Sequence, residues 1–120
     1  TKEGAPVGSH LMKVFEENVK KLGIDVRLNT KAVEILSEGN KATGIKVETA
    51  DGQQYNINAK AVVVASGGFG ASQEMVVKYK PALQGFGTTN HPGATGDAFA
   101  MVEKLDVALV DMEQIQTHPT

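Results

Sequence analysis

AKAVVVASGGFG, Ala59 to Gly70, is the stretch on which the reading of the fold turns. Ala61 to Val64 are apolar without interruption and rich in β-branches, the pattern of a strand buried on both faces. The run breaks at Ser66, Gly67 and Gly68, where missing side chains permit positive φ and let a flat or charged group approach the backbone. Beyond Phe69 and Gly70, Ser72 is placed to cap a short helix over Ala71 to Lys80, with Glu74 near its start and Pro81 as its stop. A strand, a glycine turn and a helix start make a place where a nucleotide could touch backbone. The competing reading is a tight turn required only for packing.

Upstream, Thr1 to Gly8 carries Gly and Pro and reads as a loop or linker, and Ser9 is a candidate N-cap. From there Leu11, Val14, Phe15, Val19 and Leu22 recur at three- and four-residue steps opposite Lys13, Glu16, Glu17, Lys20 and Lys21, predicting an amphipathic helix that Gly23 ends. Its apolar stripe is suited to covering a sheet. Ile24 to Leu28 alternates apolar and polar as a strand does. KAVEIL, ATGIKVETA and QQYNINAK follow, separated by the Gly/Asn turn of SEGNK and by Asp51-Gly52. Short turns and one polar side predict an antiparallel β-meander over residues 31–58, inserted between two parallel strands so that the chain returns to the main sheet at Ala61 to Val64.

Downstream of Pro81, ALQGFGTTNHPGATGD is rich in glycine and without periodicity, a long loop of the kind that more often carries function. DAFAMVEKLD then predicts a helix with Ala98, Met101, Val102 and Leu105 toward a core. Val14, Leu22, Val26, Val62, Val64, Met101 and Leu105 are expected to be largely buried, and Ala61 to Val64 to be covered on both faces.

A chain of 120 residues and 12.7 kDa is long enough for one domain with its own core. Twelve basic against 14 acidic residues, a net charge of −2, give no broad electrostatic reason to expect nucleic acid or an anionic membrane. The absence of cysteine excludes disulfides, thiolate catalysis and sulfur-ligated metal. No run approaches the length of a transmembrane segment. The compartment, cytoplasmic or periplasmic, is left open.

Three histidines, His10, His91 and His118, lack the short spacing of a structural zinc site. His91 and His118 each precede proline, which restricts the backbone before it and can hold the imidazole in one direction. In Thr95-Gly96-Asp97, either Thr95 or Asp97 could cap the following helix, or the same helix start could meet a cofactor. Asp111 and Glu113, alternate residues of a segment expected to be extended, are not read as an acid–base pair.

Taken together, AKAVVVASGGFG, TTNHPGATGD and DMEQIQTHPT resemble the soluble fumarate reductases and related succinate-dehydrogenase-type flavoproteins, and the resemblance runs over almost the whole chain from VGSH at Val7 onward. It implies an α/β fold, part of a Rossmann-like FAD-binding domain carrying the meander, with FAD as cofactor. It also implies hydride transfer from the flavin to an activated double bond such as that of fumarate, with an arginine outside this chain as proton donor. By the same resemblance Ala32 and Val33 match the position whose backbone meets the adenine end of FAD, and Ser66, Gly67 and Gly68 match the cofactor-facing turn, where the family more often has threonine at the place of Ser66. Asp97 matches an FAD-contacting aspartate, with the usual TGDG written here as TGDA through Ala98. His118, in HPT, matches the histidine that hydrogen-bonds a substrate carboxylate.

The resemblance further implies a small dicarboxylate or related substrate, urocanate, L-aspartate and 3-ketosteroids being used by relatives of the same frame, and an electron-donor domain or protein. A first strand with its GxGxxG turn is expected before Thr1. The catalytic arginine and a capping domain are expected after Thr120, so residues 1–120 are expected to be a partial FAD-binding domain, inactive alone. The alternative is a small non-enzymatic α/β module whose glycine turns are only architectural.

Overall fold

Pro6 opens the first helix: its φ of −58° is set by the ring, and its carbonyl accepts a hydrogen bond from the Ser9 amide at 3.1 Å. The structure, a computed structural model, describes residues 6–118. Helix α1 therefore spans Val7–Lys21, and Ser9 lies inside its first turn, not at the cap. Gly23, at φ +64°, ends it as expected: the amides of Gly23 and Ile24 return to the carbonyls of Lys20 and Val19, satisfying acceptors that the last turn leaves open. Thr1 to Ala5 of the expected linker lie outside the described residues, while Val7 and Gly8 are helical.

The meander forms as the alternation predicts. Strands β1 (Thr30–Glu38), β2 (Lys41–Thr49) and β3 (Gln54–Asn58) make one antiparallel sheet in the order β1-β2-β3. Gly39 supplies the positive φ, +57°, that a two-residue hairpin turn demands. The β1–β2 ladder is interrupted twice, between Leu36 and Ser37 and at a position that matters below: Ala32 pairs with Val47 and Glu34 with Lys46, leaving Val33 without a partner in a β-bulge.

Helix α2 covers Gln73–Tyr79, with the Ser72 hydroxyl accepting from the Met75 amide at 3.3 Å and Pro81 beginning a 3-10 turn, Pro81–Leu83. Helix α3 runs over Asp97–Val102 and continues as a 3-10 turn, Glu103–Leu105, so the helix expected over Asp97 to Asp106 forms with a tightened end. No described helix is long and apolar enough to cross a membrane.

Several expectations about burial fail. Ala61 to Val64 forms no strand, and Val63 and Val64 are 88% and 42% exposed. Ile24 to Leu28 likewise finds no ladder. Val14, Leu22, Val26 and Val64 are exposed, while Val62, Met101 and Leu105 are half-buried. Among the described residues, the buried apolar side chains are Ile35 and Val47 in the meander and Val76 and Leu83 beside α2. The physical reason is the absence of partners: an all-apolar β-branched run needs strands on its edges and layers on its faces, and no described strand lies beside this one. The accessible surface, 9703 Å², exceeds the about 6200 Å² of a closed domain of this mass. The expectation of a self-contained core is corrected accordingly.

Candidate functional site

The glycine turn is held by the long loop that follows it in sequence. The Gly96 amide donates to the Gly68 carbonyl at 3.1 Å, and the Ala71 amide to the Ala94 carbonyl at 2.9 Å. Phe69 sits edge-on to Phe99, with ring centroids 5.3 Å apart, and lies 5.6 Å from the Tyr79 ring. These contacts bring the SGGFG and TGD motifs to one place.

Gly67 adopts φ +86°, which the turn requires of it. Gly68 does not have a positive φ, and a β-carbon on either Gly67 or Gly68 would meet no atom of this chain within 4 Å. Packing within the described residues thus gives no reason for glycine at 68, and the outer face of the turn is open backbone. Gly96 is the opposite case: its φ is +80°, and a β-carbon there would run into the Met75 sulfur and come within 2.9 Å of the Phe69 β-carbon.

Neither Thr95 nor Asp97 caps α3. The N-cap is Gly96, in the left-handed region and without a side-chain capping bond. The Asp97 carboxylate instead accepts from the Thr95 hydroxyl at 3.1 Å and pairs with Lys31 Nζ at 3.0 Å. The Lys31 bond, more than Thr95's, holds the Asp97 carboxyl below the usual carboxylate range against the opposing effect of partial burial. A carboxylate offers about four acceptor directions. Two are taken here, so Asp97 keeps capacity for hydroxyl donors such as those along FAD.

Lys31 adjoins Ala32 on β1, and α3 packs on that strand. Ala32 and Val33 therefore lie on the same side of the fold as Asp97, with the Val33 peptide outside the ladder on an edge strand. Among the sequence-predicted residues, Gly68 is thus linked to the start of α3 through Gly96, and Asp97 to β1 beside Ala32 through Lys31.

His118 lies on the other flank of the turn. It lines a recess of about 770 Å³ together with Gly70, Ala71, Thr88, Asn90 and Ile115. The Asn90 amide packs on Gly70, where any β-carbon would collide with it, and donates to the Thr88 hydroxyl at 3.0 Å. Gln73 Nε2 ties the loop to α2 through the Phe86 carbonyl at 2.6 Å. Asp111, at φ +55°, starts a turn closed by the Gln114 amide, and the Ile115 amide bonds the Glu113 carbonyl, so the segment expected to be extended from Asp111 begins in turns. His91 Nδ1 accepts from the Gly93 amide at 3.0 Å and stiffens its own loop. Among the described residues no group of His, Cys, Asp or Glu is placed to hold a metal ion.

Lys31 and Lys80, the latter donating to the Ile115 carbonyl at 3.0 Å, are the residues that sequence reasoning missed. Both pairs join segments remote in the chain, and neither lysine stands in a motif.

Comparison with known proteins bears on this arrangement directly. A family model described as "FAD binding domain" matches residues 1–120. The NADH:fumarate oxidoreductase of Klebsiella pneumoniae (strain 342) is 44% identical over 119 residues, covering 99% of this chain and 13% of that protein. The urocanate reductase of Eggerthella lenta is 45% identical over 95 residues, covering 77% of this chain and 16% of that protein. A solved structure, the open conformation of a flavocytochrome c3 fumarate reductase, superposes with a TM-score of 0.90 at 31% identity over 98% of this chain and 21% of its own length. The chain thus spans about an eighth to a fifth of the length of these proteins, and an exposed Val63 and α1 stripe accord with a part of a larger domain. On the match over its whole length, the chain belongs to the FAD binding domain family, and its cofactor is FAD.

Proposed function

We propose that the full-length protein is an FAD-dependent oxidoreductase that reduces fumarate or a related carboxylated alkene. The observation that carries the reading is the Gly96-to-Gly68 hydrogen bond, which joins the glycine turn to the helix start bearing Asp97, while Lys31 joins that helix start to the bulge at Val33. Bound FAD would supply the hydride chemistry. In this reading the unpaired Val33 peptide and Ala32 hold the adenine end. Ser66, Gly67 and Gly68 admit the cofactor against open backbone, and Asp97 accepts from its hydroxyls. His118 donates to a substrate carboxylate from the wall of the recess, stabilising charge that grows on the substrate as it is reduced. Fumarate and urocanate, named in the two relatives above, both carry a carboxylate on an alkene, which is the chemistry His118 would recognise.

Residues 31–58 are read as an insertion within a partial FAD-binding domain, and electrons would reach the flavin from a further domain or protein. The test is the full-length protein, purified and assayed for stoichiometric FAD and for fumarate reduction with a reduced viologen donor. Flavin-free protein would refute the reading; flavin with turnover only of a substrate lacking a carboxylate would refute its substrate half. The 120-residue chain alone is expected to show no turnover, and measurable fumarate reduction by it would overturn that expectation.

A further inference from the structure

We propose that Lys80 is a positioning residue for His118: its ammonium group anchors the segment that carries the histidine into the recess. The proposal rests on the reading that His118 binds substrate. From Val107 to His118 the chain forms no helix or strand, and Val107, Leu109 and Val110 are exposed. Its internal backbone hydrogen bonds are two local ones, Gln114 amide to Asp111 carbonyl and Ile115 amide to Glu113 carbonyl. Among the described residues, the Lys80 bond to the Ile115 carbonyl is the hydrogen bond that reaches this segment from elsewhere in the chain.

The origin of that bond is stiff. Lys80 is the C-cap of α2, with its amide bonded to the Val76 carbonyl at 2.8 Å and its own carbonyl accepting from the Leu83 amide at 3.0 Å. Pro81 restricts the Lys80 backbone to the extended region it occupies, φ −143° and ψ 81°. Val76 and Leu83, on either side, are buried. At the other end the lever is short: His118 is three steps along the chain from Ile115, at most about 11 Å when extended. Ile115 and His118 line the same recess. A charged donor on a carbonyl in a half-buried setting makes a stronger tie than a neutral pair would.

The experiment uses full-length flavoprotein carrying Lys80→Met, Lys80→Arg, His118→Ala and the Lys80→Met/His118→Ala pair, with FAD content, KM and kcat measured on fumarate and urocanate. Lys80→Met is expected to raise KM about tenfold, the loss of one charge-assisted hydrogen bond, with FAD content unchanged. Lys80→Arg should recover most of the loss, and Lys80→Met should add little once His118 is alanine. Wild-type KM in Lys80→Met beside an impaired His118→Ala would overturn the positioning role alone. Equal effects of Lys80→Met with and without His118 would do the same. Wild-type KM in His118→Ala would remove His118 from the substrate site and the proposal with it. If Lys80→Met is recovered without flavin, Lys80→Gln, too short to reach Ile115, is judged by the same criteria.

Discussion

Removing the Asp97 carboxylate separates a cofactor role from a structural one. Asp97 and Lys31 side chains are 41% and 62% exposed, so their ion pair belongs to the surface class, worth about 0.2 to 1 kcal/mol after screening and side-chain ordering. No capping bond is lost with it, since Gly96 occupies the cap without side-chain help. Asp97→Ala should therefore cost about 1 kcal/mol of stability, with a melting shift of at most about 4 °C in a large protein. A carboxylate that accepts from cofactor hydroxyls is a larger matter: loss of a hydrogen bond to a charged group suggests about 1.5 to 3 kcal/mol, or roughly 10- to 150-fold in FAD dissociation constant. The assay is FAD titration of full-length apoprotein followed by flavin fluorescence, with thermal melting of the apoprotein in parallel. Wild-type affinity together with a lowered melting temperature would refute the cofactor role and leave only the tie to β1. Asp97→Asn sharpens the comparison by keeping the size of the side chain while removing its charge.

Three further outcomes follow from the geometry. In flavin-replete full-length protein, His118→Ala should leave FAD in place and lower kcat/KM on fumarate by roughly 10- to 150-fold; loss of flavin would mean that the residue serves the other ligand. Gly68→Ala should leave apoprotein melting unchanged, because its β-carbon meets open space, while lowering FAD affinity; Gly96→Ala should lose about 1 to 3 kcal/mol through positive φ and collision with Met75 and Phe69, and equal melting losses at both positions would contradict this contrast. The Lys31–Asp97 pair has a depressed carboxyl in the folded state, so its contribution is complete above the ordinary aspartate value of about 3.9 and disappears as pH falls through the lower folded value; denaturant melts from pH 7 to pH 3 should show the wild-type advantage over Asp97→Asn vanish only at the acid end.

Much of the candidate site was legible because its motifs are local. Positive φ at Gly67, the Ser72 cap, the Pro81 stop and the Gly23 helix end each depend on atoms within a few residues, and side-chain alternation sufficed for three antiparallel strands. The family's pattern of glycine turn, TGD and HPT pointed to Ser66 to Gly68, Asp97 and His118 as candidates. The capping alternative for α3 fails because Thr95 and Asp97, which have the chemistry of caps, bond each other, and Asp97 pairs with Lys31, a partner 66 positions away.

By itself, then, the sequence determined the helix periods, the meander, the turn geometry and the family, all carried by spacing along the chain. Tertiary structure decided whether Val63 is covered, which lysine neutralises Asp97, that Val33 falls out of the ladder beside it, and what ties Ile115 to α2. Burial and ion pairing are set by what lies across a few ångströms of space, and the residues that meet there are separated by tens of positions whose order contains no local trace of the contact.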